Sequence, residues 1–246
     1  MNWTGGARGG KRARTVAVRN RAARTSAATA RAVRAAYTPR ASARRYPVKG
    51  AIAPYAGRQE LKYLDVPAGT MACDTTGAVA CLNLLAVGDD NTTRDGRQVT
   101  IKSVQIKGII RPQDTGTLNT MARVLLVWDN ANNSAAAVPT ITQILSASGS
   151  QSFPLIDNAN RFTILMDQSF PVAYFNNTAT QAVAGAPTVH LVEKYLKINQ
   201  VTQYSGTTNT IGSIQNGSLL LVTIGDQATG DGANLIVATR VRFTDS

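Results

Sequence analysis

The chain has too few of the side chains that build most catalytic and metal centres. It holds one histidine, His190, and two cysteines, Cys73 and Cys81. Together these cannot supply the four ligands of a Cys/His zinc site. Two cysteines also make no disulfide framework, so both are expected to be reduced structural thiols. No Gly-rich phosphate loop precedes a helix, no nucleophile elbow occurs, and no His/Glu metal motif is present. The expectation is a protein that is not an enzyme and has neither cofactor nor metal. No stretch approaches the roughly 18 apolar residues of a membrane helix. The most apolar run, residues 219–224, is six long and includes a threonine, so no membrane partner is expected.

Two oxygen-rich stretches invite comparison with calcium loops: Asp89, Asp90, Asn91 and Asp95, and residues 226–234. Neither has the ligand spacing of a calcium loop, and Asp/Asn/Gly clusters are ordinary turn chemistry. His190 has no cysteine or acid at ligand spacing and reads as a satisfied structural histidine near the start of a strand.

Acid is the most informative absence. Of the 26 Lys and Arg, 14 fall in residues 1–58, where there is no Asp or Glu at all; the first acid is Glu60. From residue 59 onward the 12 remaining bases face 14 acids. The whole net charge of +12 therefore resides in the first quarter of the chain. Residues 1–50 are Arg, Ala, Gly, Ser and Thr with only Trp3, Tyr37 and Tyr46 as aromatics. Like charges at this density repel, and too little apolar surface is present to offset the ordering entropy, so a disordered arm is expected. Its candidate phosphate-binding residues are Arg8, Lys11, Arg12, Arg14, Arg19, Arg21, Arg24, Arg31, Arg34, Arg40, Arg44, Arg45 and Lys49. Guanidinium suits this task because it stays charged and bonds two phosphate oxygens at once.

Residues 51–246 form the second region, and after Pro54 the grammar becomes short apolar runs between Gly, Asn, Asp and Pro clusters. Eight strands are expected, over 60–66, 80–87, 98–110, 121–129, 161–167, 189–198, 218–225 and 235–243. In the third, Val99 and Ile101 are followed by Val104 and Ile106; the lost period predicts a bulge near Ser103. The continuous run Val124-Leu125-Leu126-Val127-Trp128 is either buried on both faces or core-facing under a long loop. One helix is expected at 141–147, introduced by Pro139-Thr140. Eight strands with long connections favour one antiparallel β-sandwich. Lys102, Lys107 and Arg111 share a strand and fit a basic lining or a solvated face equally. Arg240 and Arg242 share a face, and either pair with carboxylates such as Asp129 or Asp167 or contact nucleic acid.

In order along the chain, the acid-free arm is followed by Gly96-Arg97-Gln98-Val99-Thr100-Ile101-Lys102-Ser103 and Arg123-Val124-Leu125-Leu126-Val127-Trp128-Asp129. Pro139-Thr140 with Ile144-Leu145, Arg161-Phe162-Thr163-Ile164-Leu165-Met166-Asp167 and Thr239-Arg240-Val241-Arg242-Phe243-Thr244-Asp245 complete the series. This order resembles the capsid proteins of circovirus-like, replication-initiator-encoding circular single-stranded DNA viruses. The resemblance implies an all-β fold, a single eight-stranded antiparallel jelly-roll sandwich with the basic arm. It further implies self-assembly into a T=1 shell of about 60 copies, an inward arm holding a single-stranded genome, and entry into the host nucleus through the import machinery. The protein would then reside in the virion. RNA-containing satellite viruses share the arm-plus-jelly-roll plan, so DNA is favoured over RNA without being fixed.

Other readings of the arm stay open: a mitochondrial transit peptide, also Arg-rich and acid-poor, or the basic tail of a ribosomal or chromatin protein. The principal alternative for the whole chain is a cellular nucleic-acid-binding protein with a basic tail on a β-sandwich. The Ala-rich part of the arm, residues 19–36, has high helix propensity and is predicted to become helical once phosphates neutralise its arginines. Circular dichroism with and without a bound oligonucleotide tests this; an unchanged spectrum rejects it.

Overall fold

The computed structural model describes residues 60–113, 119–132, 137–173 and 189–245. Nine strands occur: β1 (Lys62–Cys73), β2 (Ala78–Cys81), β3 (Gln98–Pro112), β4 (Thr120–Asp129), β5 (Phe162–Val172), β6 (His190–Tyr204), β7 (Ile214–Asn216), β8 (Ser218–Ile224) and β9 (Ala233–Asp245). A single helical turn, α1 (Ile141–Ile144), sits between β4 and β5. All named pairings are antiparallel, in sheets ordered β1-β9-β3-β6-β7 and β2-β8-β4-β5. Leaving aside the three-residue β7, the chain crosses between two four-stranded layers at every step except β4 to β5, in the order of a jelly roll. Seven of the eight expected strands are present, and a short strand at 78–81 stands where 80–87 was expected.

Between the layers, alternate residues meet: Val99, Ile101, Val104 and Ile106 of β3, Val124, Leu126 and Trp128 of β4, and Val241 and Phe243 of β9. The intervening residues of β4 and β8 are equally buried. Leu125, Val127, Leu220, Val222 and Ile224 form a second core with Ile141 and Ile144 of α1, Leu145 and Phe162. Both faces of the Val124–Trp128 run are thus covered, which explains its unbroken apolarity. At roughly 1.5–3 kcal/mol per buried aliphatic side chain, this second layer firmly holds the β4–β5 connection against the sheet.

The bulge expected near Ser103 is present. Ile101 and Ser103 pair with the adjacent residues Phe243 and Arg242, leaving Lys102 as the extra residue against β9. On the other side of β3, Ile198 and Asn199 stand opposite the same point, and Asn199 takes φ 51°. Asparagine tolerates that left-handed conformation, so β6 continues to Tyr204 instead of stopping at 198. Similarly, β1 runs through Pro67-Ala68-Gly69 by shifting register between Val66 and Gly69; β1 is an edge strand, where a missing N–H is tolerated.

Three expectations need correction. The strand expected at 80–87 is instead β2, ending at Cys81. Leu82 and Leu85 do reach the core, but the chain there is held by side-chain bonds. Asn83 accepts from Leu219 N–H at 2.9 Å and donates to Gly217 O and Thr202 Oγ1, both at 3.0 Å. The helix expected at 141–147 ends at Ile144, because Leu145 turns extended and bridges Pro154. Thr140 N–H donates to Gln143 Oε1 at 3.0 Å, one arm of the expected cap. β7 was not foreseen, since three residues carry no period.

Gly217 joins β7 to β8 with φ 79°; a Cβ there would lie 2.5 Å from Val201 O and 2.8 Å from Trp128 Cζ2. Its carbonyl also receives Asn83 and Thr202. Gly217→Ala is predicted to destabilise the fold by about 2–4 kcal/mol, measured as a lowered midpoint in denaturant. An unchanged midpoint would show that this junction relaxes freely.

Candidate nucleic-acid interface

Beyond Arg58, nine of the twelve basic residues fall into two groups by burial. Lys62, Arg94, Arg123 and Arg161 are committed to the interior or its margin. Arg94 is 1% exposed and meets no carboxylate. It donates to Leu85 O at 3.2 Å, Gly96 O at 2.5 Å and Gly206 O, with its guanidinium 4.2 Å from the Tyr204 ring centre. Burial holds its pKa below the usual value. Arg123 grips Asp167 with two bonds of 2.8 and 2.6 Å and also donates to Ser150 O and Ser152 O. Arg161 grips the fully buried Asp129 with two bonds of 2.9 Å. Lys62 bonds Asp95 at 2.9 Å and Asp245 at 3.1 Å. Asp129 and Asp167 were the candidate partners for Arg240 and Arg242; the fold gives them to Arg161 and Arg123 because β4 and β5 lie in the opposite sheet.

The second group lies on the outer face of the five-stranded sheet. Register sets Asp65, Arg240, Gln105 and Tyr195 in one row across β1, β9, β3 and β6, and Tyr63, Arg242, Ser103 and Lys197 in the next. Lys107 follows opposite Glu193 and Ala238, and Arg111 opposite Asn234. Every second residue of β6 from Leu191 to Lys197 is exposed. In the opposite sheet α1 and its flanks cover β4 and β8, and the exposed alternation is confined to Thr163, Asp167, Ser169 and Pro171 of the edge strand β5.

Five cations thus share this surface with two carboxylates, Asp65 and Glu193. Arg240 holds Asp65 with two 2.6 Å bonds, and these bonds keep the Asp65 carboxyl below its usual pKa. Lys107 and Glu193 are 3.8 Å apart and both well exposed, a pairing of small consequence in water. Arg242 Nη2 donates to Gln105 Oε1 at 3.3 Å. Tyr63 lies 5.0 Å from the Arg240 guanidinium and Tyr195 5.8 Å from that of Arg242. A shallow groove of about 450 Å³ runs along Asp65, Gln105, Lys107 and Arg240.

The thirteen arm residues proposed to bind phosphate, Arg8 to Lys49, lie outside the described residues, as does the boundary at residue 50. Lys107 and Arg111 stand on the exposed face as the strand pattern anticipated; Lys102 is the bulge residue. Tyr63 and Tyr195 were missed, since a face assembled from four non-consecutive strands leaves no local signature.

The sequence profile of the satellite tobacco necrosis virus coat protein family matches residues 18–246. The chain belongs to that family. Membership makes it a viral coat protein, a structural component of virions. Among solved structures it is similar to turnip yellow mosaic virus, at 12% identity and a TM-score of 0.28, covering 77% of this chain and 94% of that one. For desmodium yellow mottle tymovirus the values are 16%, 0.28, 77% and 82%. For the 60-mer BFDV capsid protein they are 10%, 0.27, 76% and 94%. Among curated proteins none matches in sequence.

The two cysteines of this coat protein are free, and burial pushes each thiol up to about 12. His190 Nε2 lies 2.5 Å from Pro171 O, and its ring rests 5.7 Å from that of Phe170, the structural placement expected for it. In the oxygen-rich stretches, Asp90 takes part in a turn with Thr93, Asp95 serves Lys62, and Asp226 accepts from Thr120 and Met121. Among the described residues, no helix is long and apolar enough to cross a membrane.

Proposed function

We propose that this coat protein assembles with copies of itself into a closed T=1 shell of about 60 subunits and packages a single-stranded genome through its arginine-rich arm. The observation that carries the reading is the separation of charge: 14 bases without an acid in residues 1–58, then a body of 12 bases and 14 acids. A body carrying all that charge on its surface would repel its neighbours; a tether leaves the body free to associate. About 60 copies bring on the order of 840 positive charges inward, able to neutralise a comparable number of phosphates through counterion release. That interaction is insensitive to sequence, as coating a whole genome requires. Family membership supports the shell. So do the large apolar side chains left in water on the β4–β5 connection, Phe153 at 79% and Ile156 at 86% exposure, which are natural contacts between copies. The circovirus-like resemblance adds DNA as the genome and the host nucleus as the site of assembly, reached through the import machinery by basic stretches such as Lys11-Arg12-Ala13-Arg14.

Electron microscopy of the purified protein is expected to show uniform closed particles; a monodisperse monomer would overturn the proposal in favour of a cellular nucleic-acid-binding protein. Residues 51–246 alone are expected to give empty or smaller particles, or free subunits, with little nucleic acid. Wild-type loading from that truncated chain would reject the role of the arm. The packaged nucleic acid, once released, is expected to be degraded by DNase and resist RNase. The reverse result would remove the DNA assignment and leave the shell intact.

A further inference from the structure

We infer that the outer face of the five-stranded sheet is a second nucleic-acid site, one that stacks unpaired bases on Tyr63 and Tyr195 while Arg242 and Lys197 hold the phosphates. The site is distinct from the arm, though its biological sense rests on the packaging reading above.

Four observations lead there. First, this face is uncovered among the described residues, whereas the middle strands of the opposite sheet, β4 and β8, are buried on both sides. Second, it is cationic, so neither the equally cationic arm nor the same face of another copy complements it; a polyanion does. Third, Tyr63 and Tyr195 are 40% and 58% exposed, and each lies within 6 Å of an arginine. Aromatic rings presented flat beside guanidinium groups are the usual platform for single-stranded nucleic acid. Fourth, among the described residues Arg242 is held only by a long bond of 3.3 Å from Nη2 to Gln105 Oε1 and by the Tyr195 ring, partners that a phosphate oxygen can displace.

The spacing sets a footprint. Tyr63 and Tyr195 stand on β1 and β6, with β9 and β3 between them, and in neighbouring rows of the ladder. Three inter-strand steps of about 4.8 Å and one two-residue step of about 7 Å along the strands put them about 16 Å apart. At about 3.4 Å per stacked nucleotide, roughly five nucleotides span the distance from one ring to the other. Duplex bases are already stacked on one another and cannot engage the rings, so the site discriminates single strands from double strands. An arm acting only through charge has no comparable preference.

The test uses the full-length protein and two probes, a short oligothymidylate and a duplex of equal length. Tyr63→Ser with Tyr195→Ser is expected to weaken oligothymidylate binding by about tenfold per tyrosine and to leave duplex binding nearly unchanged. Tyr63→Phe with Tyr195→Phe keeps the rings and is expected to bind as wild type. Equal affinity of the serine variant and wild type for oligothymidylate overturns the site, as does an equal loss for both probes. Ultraviolet cross-linking of wild-type particles, read by mass spectrometry, guards against a serine variant that fails to fold. Adducts on Tyr63 and Tyr195 support the inference. Adducts confined to the first 59 residues overturn it and leave the arm reading standing, whereas adducts on the tyrosines alone overturn the arm reading instead.

Discussion

Burial of β4 and β8 on both faces is the constraint from which the rest of the arrangement follows. A sheet in a two-layer sandwich ordinarily turns one face to its partner and the other to water. Here Leu125, Val127, Leu220 and Val222 are as inaccessible as their inward neighbours, so the connection carrying α1 must lie over them. The long passage from β4 to β5 is therefore a third layer. With the middle of one sheet closed in this way, the broad exposed face among the described residues is that of the five-stranded sheet.

The cations show the same division. An arginine drawn into the interior needs protein partners, and Arg94, Arg123 and Arg161 find them in carbonyls, carboxylates and a ring. Breaking such a pair, as at Asp129 with Arg161, leaves an uncompensated buried charge at a cost of about 3–5 kcal/mol. The cations of the open face have looser partners. Arg242 shares one long bond with a glutamine, and Lys197 stands opposite Ser103 in the ladder. Residue counts alone make the body nearly neutral, but the fold separates its charge into internal clamps and a basic exterior.

How much of this was readable in advance varied with the physical origin of the signal. Period-two alternation along β3 identified both the strand and its bulge, because a one-residue slip would have driven isoleucines into water. Unbroken apolarity marked β4 as doubly covered or loop-capped, and the fold shows both descriptions to hold at once. The strands expected to end at residues 66 and 198 run further, because Pro67 and Asn199 are each absorbed by an irregularity in the ladder. Leu82 and Leu85 looked like strand residues because they are buried, but Asn83 replaces the ladder there with side-chain bonds. The pairing of Arg240 with Asp65 spans 175 positions and depends on β1 and β9 being neighbours. The tyrosine platform depends likewise on strand order, a property that composition and local spacing do not encode.

The irregularity in β1 has a consequence for how copies can meet. A straight outer strand with free amides invites a neighbour to extend the sheet, and repeated extension gives open-ended fibres. Here that margin is interrupted at Pro67-Ala68-Gly69, where the register shifts and the proline offers no donor, beside the charged Asp65; such devices block lateral β-pairing. Copies are thereby steered toward contacts between side chains at an angle. The margin of the sheet thus disfavours the one contact that would let copies grow into an open fibre.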